Sequence, residues 1–85
     1  MAAYSVLIKK SAARELEELP KKELTRIIER IGALGENPRP PGCEKLAGLE
    51  LYRIRQGRYR IVYSVEDDVL TVWVVKVGHR KEVYR

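Results

Sequence analysis

Across residues 51–60 the chain places four arginines, Arg53, Arg55, Arg58 and Arg60, and no acid. A guanidinium is planar, permanently charged and matches a phosphate through two parallel N–H bonds, so a cluster of them suits a polyanion. A second concentration of ionisable groups closes the sequence. "VGHRKEVYR", residues 77–85, carries His79, Arg80, Lys81, Glu82 and Tyr84 directly after a run of β-branched residues. Chain ends are ordinarily frayed and cheap to vary, so the tail invites the question of what it meets in the fold. Other chemistries lack their residues. There is no Cys/His ligand cluster, no phosphate-binding glycine loop and no Ser/His/Asp set, so metal, cofactor and classical hydrolase readings drop out.

The arginines and the tail need a frame to bring them together. Residues 4–9 are rich in β-formers and are the expected first strand. Ser11 is the expected N-cap of a helix with Ala12, Leu16 and Leu19 on one stripe. Pro20 ends that helix and suits the first turn of a second. There Leu24, Ile27, Ile28, Ile31 and Leu34 recur at helical spacing, and Gly35 stands where a C-cap belongs. A stiff, proline-rich loop follows at 37–42. Residues 51–55, 58–65 and 69–77 then read as three strands, with turns at Gln56-Gly57 and Glu66-Asp67-Asp68 and with Gly78 breaking the last. The order β-α-α-β-β-β predicts an α+β fold, a two-helix hairpin packed on one face of a small, largely antiparallel sheet.

Strand alternation sorts the side chains. Tyr52 and Ile54 share one face of their strand, Arg53 and Arg55 the other. Tyr59, Ile61, Tyr63 and Val65 share a face of the next, and Arg58, Arg60, Val62 and Ser64 the other. A two-residue turn at Gln56-Gly57 would pair Arg55 with Arg58 and Arg53 with Arg60, on the side away from the helices. Like charges directly opposite cost a strand pair up to ~1 kcal/mol. The missing counter-charge is expected to arrive with a polyanion; the simpler alternative is a solvated outer face with loop acids nearby. The last strand is apolar on both faces and belongs inside the sheet. From there His79, Arg80 or Tyr84 could reach the arginines, and parity does not say which. Tyr52, Tyr59 and Tyr63 fall on the core face as packing residues, and Trp73 could serve either purpose.

Composition sets outer bounds. Eighty-five residues make one small domain, 1–85, with a modest core. Seventeen basic against twelve acidic side chains, a net +5, fit either a nucleic-acid binder or a basic surface kept for solubility. One thiol, Cys43, points to a reducing compartment. The start at Met1 resembles no export signal, and the apolar stretch at 69–75 is too short to span a bilayer. The expectation is a soluble cytoplasmic protein.

"GRYRIVYSV" (57–65) followed by "VKVGHRKEVY" (75–84), behind two amphipathic helices and the segment "KLAGLELYRIR" (45–55), resembles the RelE/ParE toxin superfamily. More narrowly it resembles the RelE-like branch of toxin–antitoxin modules, over nearly the whole chain. That resemblance implies a toxin that enters the ribosomal A site and cuts messenger RNA there. It assigns catalytic parts to Arg60, to Arg80 of the "VG-basic-R" turn and to Tyr84 of "EVY". Arg53 and Arg55 take the places of two basic residues, lysines in the best-known member, and with Arg58 would bind RNA. A role needing a neutral amine at Arg53 or Arg55 would not survive the exchange.

The implied chemistry needs no metal, because RNA carries its own nucleophile, the 2′-OH. The protein must take that proton, stabilise the phosphoryl oxygens and assist the departing 5′-oxygen. Tyr84 is the candidate base; an unperturbed phenol is only ~0.1% ionised at pH 7, and nearby arginines would favour the anion. Arg60 and Arg80 would clamp the phosphate. His79 is either a better-tuned base, a substrate contact or an exposed turn residue. The implied partners are the ribosome with its messenger and a small, acidic, partly disordered RelB-like antitoxin. The free toxin is then expected to be a monomer, and the complex a heterodimer or heterotetramer. A ParE-like gyrase inhibitor and a non-catalytic basic binding module are the alternatives.

Overall fold

The computed structural model describes residues 3–79. Its elements are β1 (Ser5–Ile8), α1 (Lys10–Glu17), α2 (Lys21–Ala33), β2 (Glu44–Lys45), β3 (Tyr52–Gln56), β4 (Tyr59–Glu66) and β5 (Thr71–His79), with a 3-10 turn at Asp67–Val69. The strands form one sheet in the order β1-β5-β4-β3-β2. Only β1 and β5 run parallel; the other pairs are antiparallel. This is the expected α+β arrangement with one addition, the two-residue strand β2, which is too short to show alternation. As expected from its apolar faces, β5 lies inside the sheet, between β1 and β4. No helix among the described residues is long and apolar enough to cross a membrane.

The helices cover one face of the sheet. Ala12 and Leu16 of α1, with Ile27, Ile31 and Leu34 from α2 and its end, pack on Ile54, Ile61, Tyr63, Val72, Val74 and Val77. Ile28 departs from the expected stripe and is 45% exposed. At 100° per residue it sits on the flank of the face that Leu24, Ile27, Ile31 and Leu34 already fill.

Both expected caps are displaced. α1 starts at Lys10 with Lys9 as N-cap and no side-chain cap, so Ser11 lies inside the helix. The cause is the sheet: the Lys9 N–H donates to the Val74 carbonyl at 2.9 Å, and its own carbonyl accepts the first helical bond from Ala13. Strand and helix therefore share Lys9, with no room for a serine cap. Pro20 is the N-cap of α2, where its missing N–H costs nothing. At the other end Leu34 is the C-cap. Gly35 is needed one residue later for closeness, since a Cβ there would lie 3.1 Å from the Tyr4 carbonyl oxygen. Tyr4 N–H in turn donates to the Gly35 carbonyl at 2.7 Å, which ties the end of α2 to the start of β1.

Both ends of the last strand also move. Leu70, in the left-handed region at φ 47°, delays β5 until Thr71. Gly78 does not break β5; it pairs with Arg60, and the strand runs on to His79.

Candidate functional site

The site begins at the β3–β4 turn. Gln56 pairs with Tyr59, so the two turn residues are Gly57 and Arg58, one position later than expected. Gly57 has φ +61° while Arg58 is not left-handed. A left-handed first residue is the demand of a type II′ hairpin turn, and glycine meets it without a Cβ clash. Gln56 could not, which is why the turn slides.

The slide changes the arginine pairing. Arg55 faces Arg60, Arg53 faces Val62, and Arg58 belongs to the exposed turn. The face assignments stand, because pairing partners shifted by two residues and parity was kept. Three arginines, Arg53, Arg55 and Arg60, therefore share the sheet face away from the helices. They are not the solvated fringe of an open sheet. Arg53 is 9% and Arg60 5% exposed, whereas Arg55 and Arg58 reach solvent.

Part of the counter-charge is already built in. β2 pairs Glu44 with Arg53, and the Arg53 guanidinium Nη2 donates to Glu44 Oε1 in a short ion pair. The Arg53 hydrogen bond and charge hold the Glu44 carboxyl below the usual carboxylate range, and Arg55 and Arg60 pull it in the same direction. Part of the counter-charge thus comes from a nearby acid, as the alternative reading allowed, and not only from an incoming polyanion. Glu44 was missed because a two-residue strand leaves no periodic signal; its only mark was an isolated acid ahead of the "KLAGLELYRIR" segment.

The tail's approach is set by β5. Tyr59 pairs with His79 and Arg60 with Gly78, so the absent side chain of Gly78 faces Arg60 across the ladder. His79 lies on the opposite face, where its ring meets Tyr59 edge-on at 6.0 Å. The register shifts between Val62 and Tyr63, which partner Lys76 and Val74 and leave Val75 as an extra residue on β5. β1 pairs with β5 only as far as Val74. Beyond it a side chain of α1 takes over: Glu15 Oε1 accepts the Val77 N–H at 2.8 Å, and Oε2 accepts Lys76 Nζ at 3.0 Å. A cleft of about 420 Å³ lies there, lined by residues that include Glu15, Glu18, Tyr59, Lys76 and His79. Arg80 and Tyr84, the other expected catalytic residues, lie outside the described residues.

A staple at the far end of β3 and β4 was also missed. Arg39, between the loop prolines, donates from Nη1 and Nη2 to the two Asp67 carboxylate oxygens at 3.2 and 3.0 Å, and from Nε to the Tyr52 hydroxyl at 3.1 Å. The Tyr4 hydroxyl donates to Asp67 Oδ1 at 2.6 Å. These bonds, Arg39 before Tyr4, hold the Asp67 carboxyl below its ordinary range. Beneath them the Tyr63 hydroxyl donates to the Pro38 carbonyl at 2.7 Å, and burial pushes that phenol up. Tyr52, Tyr59 and Tyr63 pack in or against the core, as expected, with Tyr52 and Tyr63 stacked at 5.8 Å. Trp73 pairs with Leu7 and Ser64 and has the Lys9 ammonium 6.0 Å above its ring.

In chemical terms, buried guanidinia fixed beside exposed ones make a rigid receptor for phosphoryl oxygens, since little side-chain freedom remains to be lost on binding. Comparison with known proteins bears on the fold and the family. A family model described as the ParE toxin of type II toxin–antitoxin system, parDE, matches residues 6–84. Toxin RelG of Mycobacterium tuberculosis is 34% identical over 86 residues, spanning 96% of this chain and 97% of the relative. Toxin RelE of the same organism is 36% identical over 84 residues, spanning 96% and 87%. The crystal structure of the toxin–antitoxin complex RelBE2 from that organism contains a chain that matches with a TM-score of 0.84, at 30% identity and over 94% of both chains. With the fold, the helix placement and near full-length matches in agreement, the chain belongs to the RelE/ParE toxin family and is a RelE-like toxin of a type II toxin–antitoxin system.

Proposed function

We propose that this toxin is a ribosome-dependent endoribonuclease that cuts messenger RNA in the A site by attack of the RNA's own 2′-OH. The observation that carries the reading is Arg60, 5% exposed and held between Arg55 on β3 and Gly78 on β5. A buried, fixed guanidinium suits a phosphoryl group whose negative charge grows in the transition state. Arg53, Arg55 and Arg58 bind the flanking backbone. Arg80 completes the clamp, and Tyr84 takes the 2′-OH proton, its phenolate favoured by those cations. The edge-on contact of His79 with Tyr59, on the other face from Arg60, supports a supporting or substrate-contacting part for the imidazole rather than that of the base.

The second reading, inhibition of DNA gyrase by binding alone, is favoured by the ParE description of the matching family model. The arginine face argues against it, since a purely binding surface does not require guanidinia withdrawn from solvent. An acidic antitoxin is the proposed silencing partner, in keeping with the toxin–antitoxin complex of the M. tuberculosis relative.

The deciding experiment is cleavage of an A-site messenger on programmed ribosomes by wild type, Arg60→Ala, Arg80→Ala and Tyr84→Phe. Cuts that map to the A site, vanish in the variants and never appear on naked RNA establish the nuclease. Folded wild type that leaves messenger intact on ribosomes of its own source sinks it, and gyrase inhibition becomes the next assay.

A further inference from the structure

We propose that Glu44 occupies the place of an RNA phosphate on Arg53, and that backbone binding proceeds by exchange of this carboxylate for the incoming phosphate. The inference rests on the RNA-cutting reading for the nature of the polyanion, and on geometry for the exchange. Three observations carry it.

The first is the asymmetry of the ion pair. The side chain of Arg53 is 11% exposed and that of Glu44 is 54% exposed. The cation is therefore fixed in the sheet, and the carboxylate is the half that can leave. A carboxylate and a phosphate present the same pair of acceptor oxygens to a guanidinium fork, so one can replace the other without moving Arg53.

The second is the field at that point. Glu44 feels Arg53 first and then Arg55 and Arg60, so this carboxylate lies in the field of all three arginines of the face. Its only strand neighbour on β2 is Lys45, which is committed to Glu50 at 3.5 Å. Glu44 offsets part of the like-charge repulsion between the buried Arg53 and the facing pair Arg55 and Arg60. The internal carboxylate holds the face together until the ligand arrives, and for the same reason it weakens the ligand's grip.

The third is somewhere for the carboxylate to go. A cleft of about 410 Å³ at this edge of the sheet is lined by Glu44 together with Arg30, Gly42, Cys43 and Arg55. The Nε of Arg30 is buried and has no hydrogen-bond partner among the described residues. The cleft gives a Glu44 side chain released from Arg53 room to move off the guanidinium and be hydrated.

The exchange makes a quantitative statement. When phosphate displaces Glu44, the freed carboxylate takes up a cation, so the wild type releases about one ion fewer than a protein lacking the acid. Glu44→Gln should bind a short 2′-O-methyl oligoribonucleotide, which cannot be cut, about three- to tenfold more tightly at low salt. The slope of log affinity against log salt should steepen by about 0.7 for a single strand. Fluorescence anisotropy over a salt series reads both, with a cooperative melt required of each protein. Weaker binding by folded Glu44→Gln, or an unchanged slope, overturns the exchange and leaves Glu44 as a positioning residue for Arg53.

A second measurement avoids both the variant and RNA. In wild type, the carboxyl 13C signal of Glu44 is titrated with pH, with and without inorganic pyrophosphate. Displacement predicts that the midpoint rises toward the ordinary glutamate range when the anion is bound; a midpoint that stays put while pyrophosphate binds overturns the proposal. Because neither readout needs a ribosome or a cut, failure of the nuclease reading and failure of the exchange are told apart.

Discussion

Val77 donates its backbone N–H to a side chain of α1, Glu15, at 2.8 Å, where a neighbouring strand would normally accept it. β1 pairs with β5 only up to Val74, so Glu15 does for the last turn of the sheet what a longer β1 would have done. Its other oxygen holds Lys76. One carboxylate thereby aligns the part of β5 that places Gly78 beside Arg60.

Glu15→Ala should leave the part-buried Val77 N–H unpaired and cost about 1–3 kcal/mol. Glu15→Gln keeps an acceptor for the amide and should cost less. Hydrogen exchange at the Val77 amide is the direct check: it should accelerate in the alanine variant. Unchanged exchange and unchanged stability would mean that Glu15 does not hold β5.

The type II′ turn makes its own demand on Gly57. Glycine alone takes φ +61° without strain, so Gly57→Ala should lose about 1 kcal/mol in denaturant unfolding. Arg58→Ala, in the same turn and exposed, should unfold like wild type within about 0.5 kcal/mol. If the sequence-based turn at Gln56-Gly57 were right, Arg58 would be a strand residue facing Arg55, and its removal would stabilise the hairpin instead.

Gly35→Ala tests a contact rather than a backbone angle. The new Cβ would meet the Tyr4 carbonyl oxygen at 3.1 Å and both the Gly32 carbonyl oxygen and Val6 Cγ2 at 3.3 Å. Two of these are backbone atoms that cannot rotate away, so the start of β1 must shift. A loss of about 1–3 kcal/mol is expected despite alanine's better helix propensity. A gain in melting temperature would show that β1 has slack to yield.

The Arg39 staple predicts how stability depends on acid. The Asp67 carboxyl lies below its ordinary value in the fold, held there by Arg39 and then Tyr4. Its contribution is complete above the unfolded-state value of about 3.9 and fades as pH falls through the lower folded value. Asp67→Asn should therefore melt earlier than wild type at neutral pH, and the two curves should converge as pH falls below the ordinary carboxylate range. Parallel curves at every pH would refute the staple's electrostatic part.

Tyr63 predicts the alkaline side. Burial raises its phenol above the ordinary value, so its stabilisation is intact below about pH 10 and is lost as pH rises toward the folded value. Tyr63→Phe removes the donor to the Pro38 carbonyl and should cost about 1 kcal/mol at neutral pH. It should also blunt the loss of stability above pH ~10, which circular dichroism melts can read.

Much of this protein is written in short-range pattern. Period two in "YRIR" and "YRIVY" assigned Arg53, Arg55 and Arg60 to one face and Ile54, Tyr59 and Ile61 to the other, and a register error of two residues left that intact because alternation repeats every two. Period 3.6 set both helices and most of their buried stripe, and the apolar faces of β5 placed it inside the sheet. Each of these signals lives within a few neighbours along the chain.

What the tertiary structure decided involves partners that no local period connects. Glu15 and Val77 are 62 residues apart, Arg39 and Asp67 28, and Glu44 and Arg53 nine. Lys9 became a cap because Val74 claimed its N–H, and His79 turned toward Tyr59 because β4 and β5 took a register that β5, apolar on both faces, left undetermined in sequence. A side chain's type announces that it can donate, accept or carry charge. Which group it meets depends on where strands stop and which neighbours they acquire, and that is settled only when the sheet closes on its helices.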